Sequence, residues 1–327
     1  MGKFKVVITD REYENIDNEL RILKQIDADV YDYQLRDPHE IAKVAADADA
    51  VIFQYANITR ELIEQMPKCK IIAKYATGTD GVDIAAATEH GIYYTNVLDY
   101  CTDEVSDHAM AMILAHSRSL FTYSRYVAGG NWYGKPKKVH RLRDQVVGVV
   151  GFGRIARAVV DKLKPFCDHI WAYDAFCDPK VIEDYGVVPK TFDELIEGAD
   201  IISIHCPLTD DTFHMFNRTT FERMKNTAAI INVGRGAVIA QEDLVWALNR
   251  KEIIGAALDV LEHEPVEFDN PLVERNNVII TPHTAWYSLE SQAQLQSTPA
   301  EEVVRVLTGE LPHNLVNRDV LKVLGKA

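Results

Sequence analysis

Short apolar runs alternate with helical patterns in the part of the chain that ends near Tyr100. Four runs have the length and composition of strands, and three segments place apolar residues at helical spacing. The strand runs are Lys5 to Thr9, Asp49 to Phe53, Lys70 to Tyr75 and Ile92 to Asn96, and the helical segments are Glu19 to Ile26, His39 to Ala45 and Arg60 to Met66. Because strands that alternate with helices form parallel sheets, this part of the chain predicts an α/β domain.

A second alternating series follows one long helical pattern. This helix is predicted from Asp103 to about Val127, and its acidic first residues are typical of a helix N-terminus. The strand runs that follow are Val146 to Gly151, His169 to Asp174, Asp200 to Cys206, Ala228 to Gly234, Gly255 to Val260 and Asn277 to Pro282. They predict a second parallel sheet.

The last segment, Leu289 to Leu307, is again helical. The whole pattern predicts an α/β protein of two Rossmann-like or flavodoxin-like domains, each with a parallel sheet. We place a dinucleotide-binding domain at residues 101–288, inserted into an outer substrate domain formed by residues 1–100 and 289–327. The length of 327 residues also favours two domains.

The first strand of the second series ends in a glycine-rich turn that leads into a helix. Gly151, Gly153 and Ala156 occupy the three positions of the G-x-G-x-x-G/A motif. The first glycine permits the tight turn, the second lets backbone N–H groups approach a pyrophosphate, and the small third residue allows close packing of helix on strand. The alternative, an ordinary strand–helix turn, has less support, because the motif lies between a strand and a helix. We predict a dinucleotide site.

An acidic residue at the end of the next strand favours NAD over NADP. Asp174 lies about 20 residues after Gly153, where a carboxylate can accept both ribose hydroxyls of NAD and would repel the 2′-phosphate of NADP. The next residues, Ala175 and Phe176, provide no arginine to neutralise that phosphate. The predicted cofactor is therefore NAD.

Charged or titratable residues follow three further strands. Arg235 follows the run that ends at Gly234, Asp259 and Glu264 follow the next, and His283 follows the last. In an open α/β sheet, ligands bind outside the carboxyl ends of the strands, so these side chains are candidates for one crevice. A histidine paired with a carboxylate can donate a proton to a carbonyl oxygen, and an arginine can hold a carboxylate with two parallel hydrogen bonds.

Each of these residues also has a purely structural interpretation. Arg235 would then be a surface residue, Glu264 a solvated loop acid, His283 a packed histidine and Asp259 the cap of a turn. The dinucleotide motif in the same domain favours the functional interpretation, because hydride transfer to a carbonyl needs a proton donor.

Taken together, the motifs resemble those of the D-isomer-specific 2-hydroxyacid dehydrogenase family. The resemblance covers nearly the whole chain, with the motifs in the order and spacing of the family. They are KYATGTDGVDIAAATEHGIYYTN, VGVVGFGRIA, HCPLT, INVGRGAVI, ALDVLEHEP and TPHTAW. Within the family, TPHTAWYS and DEVSDHAMAMIL are most similar to the branch of the C-terminal-binding proteins, which are NAD-dependent corepressors.

The resemblance implies an NAD-dependent enzyme that interconverts a 2-keto acid and a D-2-hydroxy acid. It implies His283 as the acid/base, Glu264 as its partner and Arg235 as the residue that binds the substrate carboxylate. The implied cofactor contacts are Thr77, Gly151, Gly153, Arg154, Ile155, Asp174, His205, Cys206, Pro207, Val233, Gly234, Arg235, Asp259, His283 and Trp286. The implied substrate contacts are Ala76, Thr77, Gly78 and Arg235, with Trp286 and Tyr55 as candidate walls of the pocket. Trp286 replaces a small residue of many members, which puts small polar substrates in doubt.

Several alternatives stay open. The corepressor resemblance allows an NAD(H)-sensing binding protein without turnover. Within the enzymes, glyoxylate or hydroxypyruvate reduction is possible, and so is 3-phosphoglycerate oxidation, although we find no clear basic cluster for a phosphate. The family also implies a homodimer formed through the dinucleotide-binding domain, with the long helix and the arm around Trp132 as candidate interface.

Charge and cysteine content exclude some other classes. The formal net charge of -14 argues against a nucleic-acid or anionic-membrane surface. No run of about 18 apolar residues predicts a membrane span, and the N-terminus has no signal-peptide pattern. The 5 cysteines are scattered and form no C-x-x-C pair, so we expect no metal site and a cytoplasmic protein whose partners are small molecules.

Overall fold

The computed structural model describes residues 2–134 and 139–326, which form two compact units. Unit 1 comprises the residues up to Tyr100 and those from Ser288 onward, and unit 2 is Cys101–Tyr287. The predicted inner domain, residues 101–288, differs from unit 2 by Ser288. This residue lies in unit 1 because its side-chain oxygen accepts a hydrogen bond from the Ser291 N–H at the start of a helix of that unit.

Unit 1 has a five-stranded parallel sheet with the order β2-β1-β3-β4-β5. The strands are β1 (Phe4–Ile8), β2 (Ala28–Asp32), β3 (Ala50–Phe53), β4 (Ile71–Lys74) and β5 (Tyr93–Thr95). This order is that of the flavodoxin-like doubly wound sheet, in which ligands bind at the carboxyl ends of the strands. The four predicted strands are present, whereas β2 was not predicted, because this edge strand has no fully buried residue and therefore a weak apolar pattern.

The helices of unit 1 connect these strands and cover the sheet. They are α1 (Asp17–Leu23), α2 (Pro38–Ala45), α3 (Arg60–Glu64), α4 (Ile84–Glu89), α12 (Leu289–Thr308) and α13 (Val320–Val323). Local capping explains where several begin: the Asp37 carboxylate accepts from the N–H groups of His39 and Glu40, and Pro38 occupies the first turn.

Unit 2 has a seven-stranded parallel sheet with the order β12-β11-β10-β9-β6-β7-β8. Its strands are β6 (Val146–Val150), β7 (His169–Tyr173), β8 (Val188–Pro189), β9 (Ile201–Ile204), β10 (Ala229–Asn232), β11 (Gly255–Leu258) and β12 (Val278–Ile280). The chain runs outward in one direction from β6 to β8 and then in the other from β9 to β12. The strand order therefore reverses between β6 and β9, which is where a doubly wound sheet binds its ligand. The prediction of two parallel α/β sheets is confirmed.

The helices of unit 2 include one correction to the sequence prediction. They are α5 (Thr102–Ser117), α6 (Leu120–Ala128), α7 (Arg154–Leu163), α8 (Pro179–Asp184), α9 (Phe192–Gly198), α10 (Arg218–Arg223) and α11 (Gln241–Arg250). The predicted single helix from Asp103 to Val127 is wrong, because Ser119 has a left-handed φ of 51° that separates α5 from α6. The spacing of apolar residues cannot indicate that a single residue has this backbone conformation.

Within the described residues, no helix is both long enough and apolar enough to cross a membrane.

Candidate active site

The turn after β6 brings two backbone segments close together at Gly151. Gly151 has a φ of 88°, and a Cβ on it would lie 2.7 Å from the Cys206 nitrogen, so no larger residue fits this crossing of backbones. At Gly153 a Cβ would meet nothing within 4 Å, so space is open beside the motif. Gly153 is also the N-cap of α7 and has no side chain to cap the first turn of the helix, as is common where a helix N-terminus binds an anion.

Asp174 follows β7 and is held firmly by the backbone. One carboxylate oxygen accepts from the Phe152 N–H at 2.7 Å, and the other accepts from the N–H groups of Phe176 and Cys177, both at 2.8 Å. Burial by itself would raise the pKa of Asp174, but these three N–H donors outweigh burial and lower the pKa, so the group is ionised at neutral pH. Oδ2, which accepts only from the Phe152 N–H among these donors, keeps a lone pair for a ribose hydroxyl.

An arginine close to Asp174 was not predicted from the sequence. Arg157, on the first turn of α7, donates from Nε to the Phe152 carbonyl at 3.1 Å, and its charge contributes to lowering the pKa of Asp174. Helical spacing from Gly153 would have pointed to Arg157, since residues three and four apart lie on one face of a helix.

The other predicted cofactor contacts of unit 2 lie along the same edge of the sheet. The segment His205–Cys206 directly follows β9 and crosses Gly151, and Val233 and Gly234 directly follow β10. Burial lowers the pKa of His205 to about 4, so its ring is neutral at physiological pH. Burial raises the pKa of the Cys206 thiol to about 11, which keeps it protonated.

Three adjacent parallel strands carry the remaining candidates. In the sheet β10 pairs with β11, and β11 pairs with β12. Arg235 follows β10, Asp259 follows β11 and His283 follows β12, so all three lie at the carboxyl edge of neighbouring strands. The prediction that strand ends would place these residues along one edge of the sheet agrees with this topology.

His283 and Glu264 form a direct pair. Nδ1 of His283 lies 2.7 Å from Oε2 of Glu264, and the second oxygen of Glu264 accepts from the Leu261 N–H at 2.8 Å. The side chains are 47% and 35% exposed, respectively, so both reach solvent. The carboxylate thus orients the imidazole and leaves its Nε2 for another molecule.

The pair shifts the proton affinity of both partners. The hydrogen bond with Glu264 raises the pKa of His283 above 6.5, more than burial and the charge of Arg235 lower it. Burial would raise the pKa of Glu264, but His283, the Leu261 N–H and Arg235 outweigh burial and lower it. A carboxylate beside an imidazole favours the imidazolium, which is the form that a general acid needs in order to donate a proton.

The guanidinium of Arg235 lies in a tight turn close to the loop that holds Glu264. Its Nη1 donates to the Gly234 carbonyl at 2.9 Å, and among the described residues it makes no ion pair with a carboxylate. A Cβ on the next residue, Gly236, would lie 1.8 Å from the Leu261 carbonyl oxygen, so only glycine allows the two loops to approach this closely. The remaining N–H groups of Arg235 are available for an anionic ligand.

Asp259 is buried and holds the loop that carries His283. Its carboxylate accepts from the N–H groups of Thr284 and Ala285, both at 2.9 Å, and from the Thr281 hydroxyl at 2.5 Å. These contacts agree with the interpretation of Asp259 as the cap of a turn. A contact between Asp259 and a cofactor stays a prediction. Trp286, one residue beyond this loop, is partly buried, and its ring packs edge-on against Tyr287 with centroids 5.6 Å apart.

Four of the predicted contacts belong to unit 1. Ala76, Thr77 and Gly78 follow β4, and the Thr77 hydroxyl donates to the Val97 carbonyl at 2.9 Å. Tyr55 follows β3 and is 52% exposed, while its hydroxyl donates to Glu12 at 2.8 Å. All of these residues therefore lie at the carboxyl edge of the sheet of unit 1.

No three His, Cys, Asp or Glu side chains come together as a possible metal site within residues 2–134 and 139–326.

Two further residues near His283 were not predicted from the sequence, namely His108 and Thr281. His108 is far from Thr281 in the chain, and only the tertiary structure brings Nε2 of His108 within 2.9 Å of the Thr281 hydroxyl.

Comparison with known proteins places this geometry in a family. A family model described as D-isomer specific 2-hydroxyacid dehydrogenase, NAD binding domain, matches residues 110–285. A glyoxylate reductase of Korarchaeum cryptofilum is 36% identical over 85% of this chain and 85% of its own. A D-3-phosphoglycerate dehydrogenase of Methanocaldococcus jannaschii is 35% identical over 96% of this chain and 59% of its own.

A solved structure is similar over both units. The crystal structure of D-lactate dehydrogenase from Aquifex aeolicus, complexed with NAD and lactic acid, has a TM-score of 0.84 and 26% sequence identity, and the match covers 97% of this chain and 98% of that one. Together with the match of the family model to more than half of the chain, these likenesses lead to one conclusion: the chain belongs to the D-isomer-specific 2-hydroxyacid dehydrogenase family and is an NAD-dependent oxidoreductase.

Proposed function

We propose that the protein reversibly reduces a 2-keto acid to a D-2-hydroxy acid, with His283 as the acid/base, Glu264 as its partner and Arg235 as the residue that binds the substrate carboxylate. The observation that supports this most is the 2.7 Å pairing of His283 with Glu264 at the carboxyl edge of the sheet. The turn at Gly151 follows a strand of the same parallel sheet, so the proposed dinucleotide site and the proposed proton donor share its carboxyl edge.

The hydrogen bonds of His283 determine which of its two ring nitrogens transfers the proton. Because Nδ1 pairs with Glu264, Nε2 is the nitrogen that protonates the keto oxygen during reduction and removes the hydroxyl proton during oxidation. The negative charge of Glu264 stabilises the protonated form of His283 relative to the neutral form. NADH, when bound, supplies the hydride that C2 of the keto acid takes up. Hydride at C2 and proton at oxygen together balance the reduction.

Arg235 is proposed to bind the substrate and to polarise it. A guanidinium presents two parallel N–H donors, which match the two oxygens of a carboxylate. A fixed positive charge near the keto oxygen also stabilises the negative charge that develops there as hydride arrives. In unit 1, Ala76, Thr77, Gly78 and Tyr55 remain predicted substrate contacts.

The test of this function is an assay of NADH oxidation with a panel of 2-keto acids. Turnover of at least one of them, with the D-hydroxy acid as product, supports the proposal. Glyoxylate belongs in the panel because of the glyoxylate reductase among the relatives. NADH binding without any turnover would favour the alternative of an NAD(H)-sensing protein related to the C-terminal-binding proteins.

Asp174→Ala is expected to weaken the preference for NADH over NADPH. The ionised carboxylate accepts a hydrogen bond from the ribose and repels a 2′-phosphate, and Arg157 next to it would attract that phosphate once the carboxylate is gone. The measurement is kcat/KM with each cofactor for wild type and variant. A wild type that uses NADPH as efficiently as NADH would contradict this role of Asp174.

Trp286→Ala is expected to impair 2-keto acids with branched or thioether side chains more than glyoxylate. An indole offers a large apolar face and makes favourable contacts with sulfur, and glyoxylate has no side chain to use them. The ratio of kcat/KM values across the panel measures this selectivity. Equal losses for all substrates would assign the indole to the cofactor or to the fold.

We also propose a homodimer formed through unit 2, in the cytoplasm. Helix α6 buries none of its residues within the chain, and beyond it Trp132 and Tyr133 are 75% and 89% exposed. Large exposed apolar side chains of this kind mark interaction surfaces. Light scattering on the purified protein measures the oligomeric state, and a monomer at micromolar concentration contradicts the dimer. The scattered cysteines of the sequence fit a reducing compartment.

A further inference from the structure

A chain of hydrogen bonds runs from helix α5 to the loop that carries His283. Nε2 of His108 lies 2.9 Å from the Thr281 hydroxyl oxygen, and that hydroxyl donates to Oδ1 of Asp259 at 2.5 Å. His108 Nε2 also lies 3.7 Å from the same Asp259 oxygen. The side chain of Asp259 is 1% exposed and that of His108 is 24% exposed, so water has little access to this chain.

The direction of these hydrogen bonds follows from counting protons. A threonine hydroxyl has one proton, and Thr281 donates it to Asp259. The Thr281 oxygen can then only accept from His108, so Nε2 of His108 must bear a proton. The order of donation is therefore His108 to Thr281 to Asp259.

Asp259, at the end of this chain, fixes the backbone on both sides of His283. Its carboxylate accepts from the Thr284 and Ala285 N–H groups, and its carbonyl oxygen accepts from the His283 N–H at 2.8 Å. His283 itself has a φ of 54°, which an L-residue adopts only at a free-energy cost. Such a conformation persists only where several contacts impose it, and Asp259 supplies these contacts.

We propose that His108 is a positioning residue for His283, acting through Thr281 and Asp259 to keep the imidazole aligned with Glu264. This inference rests on the proposed function of His283 as the proton donor. The charged groups that face His283 are Glu264, Arg235 and Asp259, and the charged group that faces His108 is Asp259. Loss of the His108 hydrogen bond leaves Thr281 and Asp259 freer to move. The loop that contains His283 would then move with them.

The test uses variants that separate the hydrogen bond from the charge. His108→Leu removes the donor, whereas His108→Gln keeps an N–H donor at a similar distance and cannot be protonated. Thr281→Val removes the hydroxyl at nearly constant shape, and Thr281→Ser keeps it. His169→Gln, at an exposed histidine at the start of β7, is the matched control for a histidine change in unit 2.

The main readout is the pKa of His283, measured by NMR titration of the folded protein with labelled imidazoles and assigned from the signal that His283→Ala loses. We expect His108→Leu and Thr281→Val to lower this pKa, because the looser loop weakens the pairing with Glu264. His108→Gln, Thr281→Ser and His169→Gln should leave it at the wild-type value. Loss of a positive charge at His108 acting through space would instead raise the pKa of His283, so the sign separates the two causes.

The kinetic readout is kcat for ketone reduction and the Kd of NADH. The two variants without the hydrogen bond should lose about two- to tenfold in kcat, as expected for one hydrogen bond, with NADH affinity unchanged. Combining His108→Leu with Thr281→Val should add little further loss, since both break one chain.

Two results would overturn the positioning role. One is a His283 pKa in folded His108→Leu equal to that of wild type, and the other is a His108→Gln variant as impaired as His108→Leu. A wild type that turns over no 2-keto acid would contradict the proposed function instead, while the NMR titration would still decide whether His108 positions His283.

Discussion

His283→Ala is expected to lower kcat for ketone reduction by about 10²- to 10⁴-fold, the usual contribution of a positioned general acid. Oxidation of the hydroxy acid should fall by a similar factor, because the same imidazole accepts the proton in that direction. NADH should still bind, since Gly151, Asp174 and the start of α7 are untouched. The measurements are steady-state kinetics in both directions and NADH binding by fluorescence.

The neighbouring loop offers a matched control for this substitution. His263 lies directly before Glu264 in the chain and is exposed. His263→Ala should leave kcat near the wild-type value, because this exposed side chain has no part in the proposed proton transfer. A His283→Ala variant that retains wild-type turnover would show that the proton comes from another group.

Arg235→Lys is expected to lower kcat/KM by roughly tenfold to a thousandfold, on the order of 1.4 to 4 kcal/mol. Lysine keeps the positive charge but loses the planar pair of N–H donors that matches a carboxylate. The affinity for NADH should change much less, because the expected partner of the guanidinium is the substrate. Steady-state kinetics with the best 2-keto acid and direct NADH titration separate these effects.

Arg250→Lys provides the corresponding control. Arg250 is an exposed arginine at the end of α11 with Glu252 as its ion-pair partner, so the same chemical change there should leave kcat/KM near the wild-type value. If Arg235→Lys were equally harmless, Arg235 would be a surface residue that ends a loop.

The sequence predicted those elements whose burial shows in the local pattern. β3, β4, β9 and β10 consist entirely of buried residues, and each was predicted as an apolar run. The edge strands β2 and β8 were missed, since neither contains a fully buried residue and the apolar pattern of each is therefore weak. The break at Ser119 was missed because its left-handed backbone leaves the apolar spacing of the flanking helices unchanged.

The site shows the same division between local and tertiary information. His283, Glu264 and Arg235 were predicted because strand ends at one edge of a parallel sheet meet at the same side. His108 was not predicted, because Thr281 is distant in the chain and only the tertiary structure brings the two together. Arg157 was missed although helical spacing from Gly153 points to it. The internal hydrogen bonds of Asp259 also needed the structure, since its role as an anchor depends on how the loop after β12 turns back.

The measurement that tests the account most directly is a pair of pH–rate profiles, for reduction and for oxidation, on wild type and Glu264→Gln. Glu264 raises the pKa of His283, so wild-type reduction should fade as pH rises through that raised pKa, and oxidation should fade as pH falls through it. Glutamine keeps the shape but removes the charge. Both limbs should therefore move to lower pH, and reduction at neutral pH should lose more than oxidation. Limbs that stay in place would show that Glu264 is not the partner of His283, and the proposed acid/base pair would be wrong.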